Sequence, residues 1–483
     1  MIYDILIIGG GVIGGMIARE LSRYQLRTCL LEKENDVACG ASKANSGIIH
    51  GGFDPEPGTL KAKLNTLGVP LLYQAAEQLH VPYVRNGSMV CAFGEKEEPQ
   101  IDALYARGTE NGITGMHILT GEEARALEPQ LSPEITKVLH IPNAGIISPY
   151  DLTVAAIGNA MDNGVVLERN FAVSAIEQRD GIYTLTAASG SKVQGKYLIN
   201  CAGGYSDAIA RLLGDDRFTI IPRAGEYMLL DKTEGSRVTN TIFQLPSEAG
   251  KGILVSPTAH GNLLVGPTAT AVATPNSKET TPAGLAQVKT LAAKSVPGVD
   301  FRQVITSFSG VRASEKGGDF IIEWSASSEN ALHVAAIDSP GLTCCVSIAQ
   351  YVTELLQKGG VALNPKAHWD GTREDTHAFS HLSDEEKDAF IKKNPAYGKI
   401  VCRCELISEG EVLDAIRRNP GARDMDGIKR RTRSGMGRCQ GGFCGPYVMA
   451  LLAQELGIGL EEVTKNGSGS YMVAERIGSN GKA

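Results

Sequence analysis

Between Asp4 and Glu32 the chain sets out a strand, a glycine turn, a helix, a second strand and an acid, an order that few folds accommodate. Asp4-Ile5-Leu6-Ile7-Ile8 is the near-continuous apolar run of a parallel strand buried on both faces. Gly9-x-Gly11-x-x-Gly14 follows, and then a helical stretch from Met16 to Arg23. The first glycine permits the tight turn, the second lets a pyrophosphate approach the backbone, and the third brings helix and strand together. The phosphates then sit at the helix N-terminus, where unpaired N–H groups point at them. Thr28-Cys29-Leu30-Leu31 reads as the next strand and delivers Glu32, 18 residues beyond Gly14, to accept hydrogen bonds from an adenosine ribose. The glycines alone would fit a turn in many α/β proteins; with the flanking strands and the acid they predict an α/β, Rossmann-like dinucleotide site contacted by Gly9, Gly11, Val12, Ile13, Gly14, Glu32 and Lys33.

At 483 residues the chain exceeds one hydrophobic core, so two or three domains are expected. Its net charge of -7 argues against a nucleic-acid or anionic-membrane binder, which needs a surplus of Lys and Arg. No apolar run reaches the roughly 18 residues of a membrane span. Ile5 to Ile8 lacks a basic flank and a cleavage site and reads as a buried strand, not a signal peptide, so a cytoplasmic protein is expected.

Ten cysteines in so long a chain do not make a disulfide scaffold. Cys29, Cys39, Cys91, Cys201 and the vicinal pair Cys344-Cys345 lie among apolar or small residues and read as packing. The other four are different: Cys402 and Cys404 form C-x-C, and Cys439 and Cys444 form C-x-x-x-x-C. Four thiolates suit either a [2Fe-2S] cluster or zinc, and spacing of this kind is unusual for a zinc ribbon, which favours the cluster. Residues 366–398 read as a linker enclosing one helix capped by Ser383-Asp384-Glu385-Glu386. Helices are expected from Ser408 to Arg418 and from Pro446 to Leu456, and residues 457–483 as a loose tail. Lys429, Arg430, Arg431, Arg433 and Arg438 form a basic run that would offset cluster charge, dock an acidic partner, or simply face solvent.

The small, polar loop Ala41-Ser42-Lys43-Ala44-Asn45-Ser46-Gly47-Ile48-Ile49-His50-Gly51-Gly52 resembles that of the D-amino-acid oxidase and glycerol-3-phosphate oxidase superfamily of flavoproteins. Leu198-Ile199-Asn200-Cys201-Ala202-Gly203-Gly204 and Asp338-Ser339-Pro340-Gly341-Leu342-Thr343 match it too. The resemblance covers about residues 1 to 365 and implies FAD, with Ser42, Asn45, Ser46, Gly47, Val173, Ala202, Gly203, Gly341, Leu342 and Thr343 as further contacts. It also implies interleaving: an FAD-binding domain from 1–85, 145–220 and 325–365, and an α+β substrate domain from 86–144 and 221–324. A late helix N-terminus would favour negative charge on the flavin ring.

Within that superfamily the chain is most similar to glycerol-3-phosphate dehydrogenases of the anaerobic bacterial large-subunit type, and next to L-2-hydroxyglutarate dehydrogenases. The segments are Ser46-Gly47-Ile48-Ile49-His50, Pro222-Arg223-Ala224-Gly225-Glu226-Tyr227, Ser309-Gly310-Val311-Arg312, and residues 54–64 and 261–268. Both relatives oxidise a secondary alcohol beside an anionic group. Such a reaction needs a base for the hydroxyl proton and a cation for the anionic end. His50 is assigned as the base, or else as a hydrogen-bonding residue; its rival His260 is expected exposed in a hairpin turn. Arg312 is assigned as the anion clamp, or else as the ion-pair partner of Glu315 or Glu323. Arg223 and Tyr227 are expected near the pocket, on or just before a strand from Tyr227 to Leu230; Lys61 and Lys63 share one helix, so at most one can face the site, with solvent the default for both.

Residues 399–456 resemble the bacterioferritin-associated-ferredoxin-like [2Fe-2S] domain, with Cys402, Cys404, Cys439 and Cys444 as its ligands. Together the two resemblances imply an enzyme that oxidises sn-glycerol 3-phosphate to dihydroxyacetone phosphate, or runs the reverse. Electrons would leave singly to a partner such as an NADH-linked flavoprotein or a quinone-reactive subunit, with peripheral membrane association left open. A 2-hydroxy acid dehydrogenase and a non-catalytic electron-transfer subunit are the alternatives.

Overall fold

A computed structural model describes residues 1–245, 252–376 and 378–474. Strand β1 (Ile2–Ile8) lies inside an eight-stranded sheet, with Ile5, Leu6 and Ile7 fully buried. Helix α1 (Val12–Leu21) begins four residues earlier than its apolar pattern suggests, since Gly14 and Gly15 are helical. Strand β2 (Thr28–Leu31) and strand β3 (Lys192–Asn200) flank β1, both parallel to it, with Ile8 opposite Leu31 on one side and Asn200 on the other. Val166–Glu168 extends the parallel core beyond β2, and Ala331–Ala335 extends it beyond β3. Burial on both faces explains the apolar runs that make these strands. Helix α1 and three others, α2 (Leu60–Gln78), α3 (Pro149–Asp162) and α4 (Gly341–Lys358), cover one face, burying Met16, Leu72, Ile157, Cys344, Cys345 and Ile348 in one core. The packing role expected for the vicinal cysteines is the one they have.

A second sheet of nine strands is almost wholly antiparallel. Its long pair is β4 (Ile221–Leu230) with β5 (Val304–Ser314), in a register that sets Arg223 opposite Arg312, Gly225 opposite Gly310, and Tyr227 opposite Phe308. Strand β4 therefore starts six residues before the expected Tyr227, despite Pro222 and Gly225, and Arg223 lies within it. The architecture is the expected mixed α/β one.

The C-terminal unit has its own small core of Ile407, Val412, Ile416, Ile428, Val448 and Leu452. Helix α5 (Glu409–Arg417) carries a capping box of Ser408 with Glu411, helix α6 (Met425–Thr432) is capped by Asp424, and helix α7 (Gly445–Leu456) closes the unit. The basic run does not face solvent as a whole: Arg438 is exposed, while Arg433 is buried. Arg430 and Arg431 are buried, and Arg430 Nη2 and both terminal nitrogens of Arg431 donate to Asp36, each at 2.7 Å, so that the C-terminal unit clasps the loop after β2.

Residues 366–376 lie along the helices, where Trp369 Nε1 donates to Ser22 Oγ at 3.0 Å and Arg373 pairs with Asp162 at 3.1 Å. The capped helix Asp384–Lys393 is present, and Ala378–His381 adds a short one not expected. The tail is not loose over its described part: Met425 N donates to Thr464 O at 3.1 Å and Val463 is buried. Residues 475–483 of that expected tail lie outside the described residues. Among the described residues no helix is long and apolar enough to cross a membrane.

Candidate active site

The two sheets enclose a cavity of about 1270 Å³. That exceeds the usual space for one small ligand and suits a dinucleotide with a substrate beside it. At one end, Gly9 has φ +113°, and a Cβ there would lie 2.3 Å from the Cys201 carbonyl. A Cβ on Gly14 would lie 2.1 Å from Gly9 O, so backbone meets backbone with no room for side chains. The Glu32 carboxylate accepts from Gly10 N at 2.8 Å and Glu34 N at 2.9 Å. Burial pushes its pKa up to about 6, and those two N–H groups work against the shift. Ser42 Oγ accepts from Val12 N at 2.9 Å.

Lys33, Asn45, Val173, Ala202, Gly203, Gly341 and Leu342 line the same cavity, as do Gly9, Gly11, Val12, Ile13, Glu32, Ser42, Ser46 and Gly47. Gly14 and Thr343 do not. Gly14 makes the helix–strand contact, and Thr343 Oγ1 accepts from His50 N at 2.9 Å and donates to Ile48 O at 3.3 Å. Both were expected as contacts; neither lines the cavity, and Gly14 has the helix–strand packing role also expected of the third glycine.

At the other end, β4 and β5 form a wall carrying Arg223, Tyr227 and Arg312. Tyr227 stacks on Phe308 with ring centroids 4.8 Å apart, and its hydroxyl meets Ser46 Oγ at 3.1 Å. The 41–52 loop comes this close because Gly310 has no side chain: a Cβ there would lie 1.8 Å from Ala44 O. Arg312 Nη1 donates to Thr268 O at 3.3 Å. The ion pair weighed for Arg312 is not the one formed, since Glu323 pairs with Arg217 and Glu315 turns back on the Gly317 amide. His50 faces the cavity with Nε2 3.2 Å from Ser339 Oγ, while its carbonyl accepts from Asn65 Nδ2 at 2.9 Å.

Two expectations fail here. His260 is in a hairpin turn but is not exposed: its side chain is 12% accessible and Nε2 lies 3.0 Å from Asp151 Oδ2. Lys61 is not in solvent: it lines the cavity and its Nζ pairs with Asp338 Oδ1 at 2.6 Å, whereas Lys63 is exposed as expected. Lys61 is thus the one of the two lysines that faces the site, and Ser339, quoted only as part of the late loop, lines the wall as well.

The four C-terminal cysteines converge although they come from two segments. Cys404 Sγ and Cys439 Sγ are 3.6 Å apart, close to the ~3.8 Å that two thiolates keep across one tetrahedral metal with bonds of ~2.3 Å. Cys444 lies beside Cys402, and its sulfur accepts from Ser434 Oγ at 3.6 Å. The Phe443 N–H, with those of Gly441 and Gly442, pulls the Cys439 thiol below its ordinary value against the effect of burial. Four free thiols, two buried and two toward solvent, with amides aimed at sulfur, fit a [2Fe-2S] cluster.

Residues 4–355 match the family described as FAD dependent oxidoreductase. The chain belongs to that family. This FAD-dependent oxidoreductase also carries, over residues 400–454, a BFD-like [2Fe-2S] binding domain. It is 43% identical over 471 residues, 98% of each chain, to the glycerol 3-phosphate dehydrogenase of Caloramator mitchellensis. Identity to the human mitochondrial L-2-hydroxyglutarate dehydrogenase is 31% over 285 residues, 55% of this chain and 61% of that one. Among solved structures, the dithionite-reduced L-alpha-glycerophosphate oxidase of Mycoplasma pneumoniae with FAD bound superposes with a TM-score of 0.74 at 33% identity, covering 77% of this chain and 98% of that one.

Proposed function

We propose that this oxidoreductase oxidises sn-glycerol 3-phosphate to dihydroxyacetone phosphate and passes the electrons through its [2Fe-2S] domain to a partner subunit in the cytoplasm, such as an NADH-linked flavoprotein or a quinone-reactive protein. The observation that carries the reading is the cross-strand pair Arg223 and Arg312 on one wall of the cavity, facing a chamber that also holds His50. Two guanidinium groups match the double charge and the several oxygens of a phosphate monoester.

Bound FAD supplies the hydride acceptor. The chain does the rest. Arg312, with Arg223, holds the phosphate and so fixes where the carbinol carbon sits. His50 takes the hydroxyl proton as the carbonyl forms, its ring steadied by Ser339 and its backbone held on both sides by Thr343 and Asn65. Tyr227 and Ser46 tie the substrate wall to the flavin loop, so that the phosphate site and the cofactor keep a fixed separation.

A 2-hydroxy acid with two carboxylates would also satisfy two arginines and is the second reading. Anaerobic titration of the FAD-loaded protein with each compound separates them. Bleaching of the flavin by glycerol 3-phosphate at lower concentration is the expected result, and bleaching by L-2-hydroxyglutarate alone would replace the reading.

A further inference from the structure

We infer that Arg433 is a positioning residue for the passage of electrons from the FAD site to the four-cysteine site, fixing the cysteine-bearing loop against the two elements that lead back to the cavity. The inference rests on the electron route proposed above. Arg433 ends helix α6 with φ +66°, a left-handed backbone where glycine is the ordinary choice. An arginine at such a position is explained by what its side chain reaches, and this one is buried and bonded to three other segments as well as to Met436 in its own loop. Nε donates to Glu405 Oε2 at 2.9 Å, beside Cys404. Nη1 donates to Tyr150 OH at 3.1 Å and lies 3.6 Å from Met436 Sδ. Nη2 donates to Asn262 Oδ1 at 3.0 Å.

Both outer arms lead to elements that carry cavity residues. Asn262 Nδ2 donates to Leu230 O at 2.9 Å, at the end of β4, the strand that carries Tyr227 and Arg223. Tyr150 follows Pro149, which packs at Gly47, and Gly47 O accepts from Ile147 N at 2.7 Å. In the other direction Ser434, the next residue, donates to Cys444 Sγ at 3.6 Å. An uninterrupted run of bonded groups thus joins the flavin loop to a cluster ligand. Electron tunnelling falls steeply with separation, so holding this junction closed keeps transfer fast. Each alcohol oxidised releases two electrons and two protons. In turnover two equivalents of an external one-electron acceptor such as ferricyanide take the two electrons in succession; the test leaves that acceptor out, so that one electron stays at the cluster site and the other at the FAD site.

The test uses the full holoenzyme and an Arg433→Met variant, mixed anaerobically with glycerol 3-phosphate, with flavin absorbance and freeze-quenched cluster EPR followed separately. Flavin bleaching should be unchanged while cluster reduction slows about tenfold or more. The EPR line shape should persist, hydrogen exchange at residues 258–262 should rise, and Arg433→Lys should restore part of the rate. Should Arg433→Met not retain its cluster, Asn262→Ala decides, with a smaller slowing in the same direction expected. Cluster reduction that keeps pace with the unaltered protein, or a slowing matched by equally slow flavin bleaching, would overturn the inference. Reducing the flavin with light instead of substrate separates the two claims: if glycerol 3-phosphate bleaches nothing, the functional reading falls, and the photochemical electrons still report on Arg433.

Discussion

Glu32 couples the FAD site to pH. Its carboxyl is pushed from its ordinary 4.5 to about 6 by burial, so the folded, empty protein holds a proton that the unfolded chain has already lost. That contribution to stability, about 2 kcal/mol, is fully present below the unfolded value and is lost as pH rises through the folded one. Ribose hydroxyls donate to the ionised form, so FAD binding near pH 6 should release a fraction of a proton. Calorimetry in two buffers of different protonation enthalpy measures it, and Glu32→Gln should abolish it; an enthalpy independent of buffer would contradict the assignment. At the reaction end, charged hydrogen bonds of ~1.5–3 kcal/mol each predict that Arg312→Met lowers kcat/KM about a hundredfold with FAD content unchanged. His50→Gln should lower the rate of flavin reduction by roughly 10²–10⁴ with little effect on FAD affinity, measured by stopped-flow. Full activity in either variant would remove that residue from the mechanism.

The element that decides how the two cofactor sites meet is helix α6, whose Arg430 and Arg431 close on Asp36. Burial would raise the Asp36 carboxyl, but Arg431 and Arg430 more than offset it and hold it well below the usual carboxylate range. A depressed carboxylate contributes stability above its unfolded pKa and loses it as pH falls, so the clasp is intact across the neutral range. Asp36→Asn strands two buried cations and should destabilise the docked C-terminal unit by about 3–5 kcal/mol. Faster proteolysis between residues 363 and 400 is the expected readout, and unchanged cleavage would show that the clasp holds nothing. None of this was legible in the basic run itself, because Asp36 and Arg431 are 395 residues apart. The same reason hid the Lys61 partner, Asp338, and the His260 partner, Asp151. Strand β4 is longer than expected and takes in Pro222 and Gly225, residue types that usually interrupt a strand. Gly225 is there to make room: a Cβ would lie 2.8 Å from Arg312 Nη2.

Across the whole molecule, what could be read from sequence was what is local. The β1–α1–β2 fingerprint spans some thirty residues and fixes its own geometry, and the cysteine spacing carries its chemistry with it. The β4–β5 register, which pairs Arg223 with Arg312, belongs to the tertiary fold and came only with the structure. The resulting picture is one chain with an FAD-binding fold, a cavity wall carrying Arg223 and Arg312, and a four-thiol site clasped to it. In it the two cofactor sites are consecutive stations for the same electrons. The most direct measurement is a combined visible and EPR spectrum of anaerobically purified protein before and after glycerol 3-phosphate. Flavin bleaching together with a new signal from the reduced cluster is the expected result. Bleaching with no cluster signal, or a cluster absent from protein that holds FAD, would contradict it.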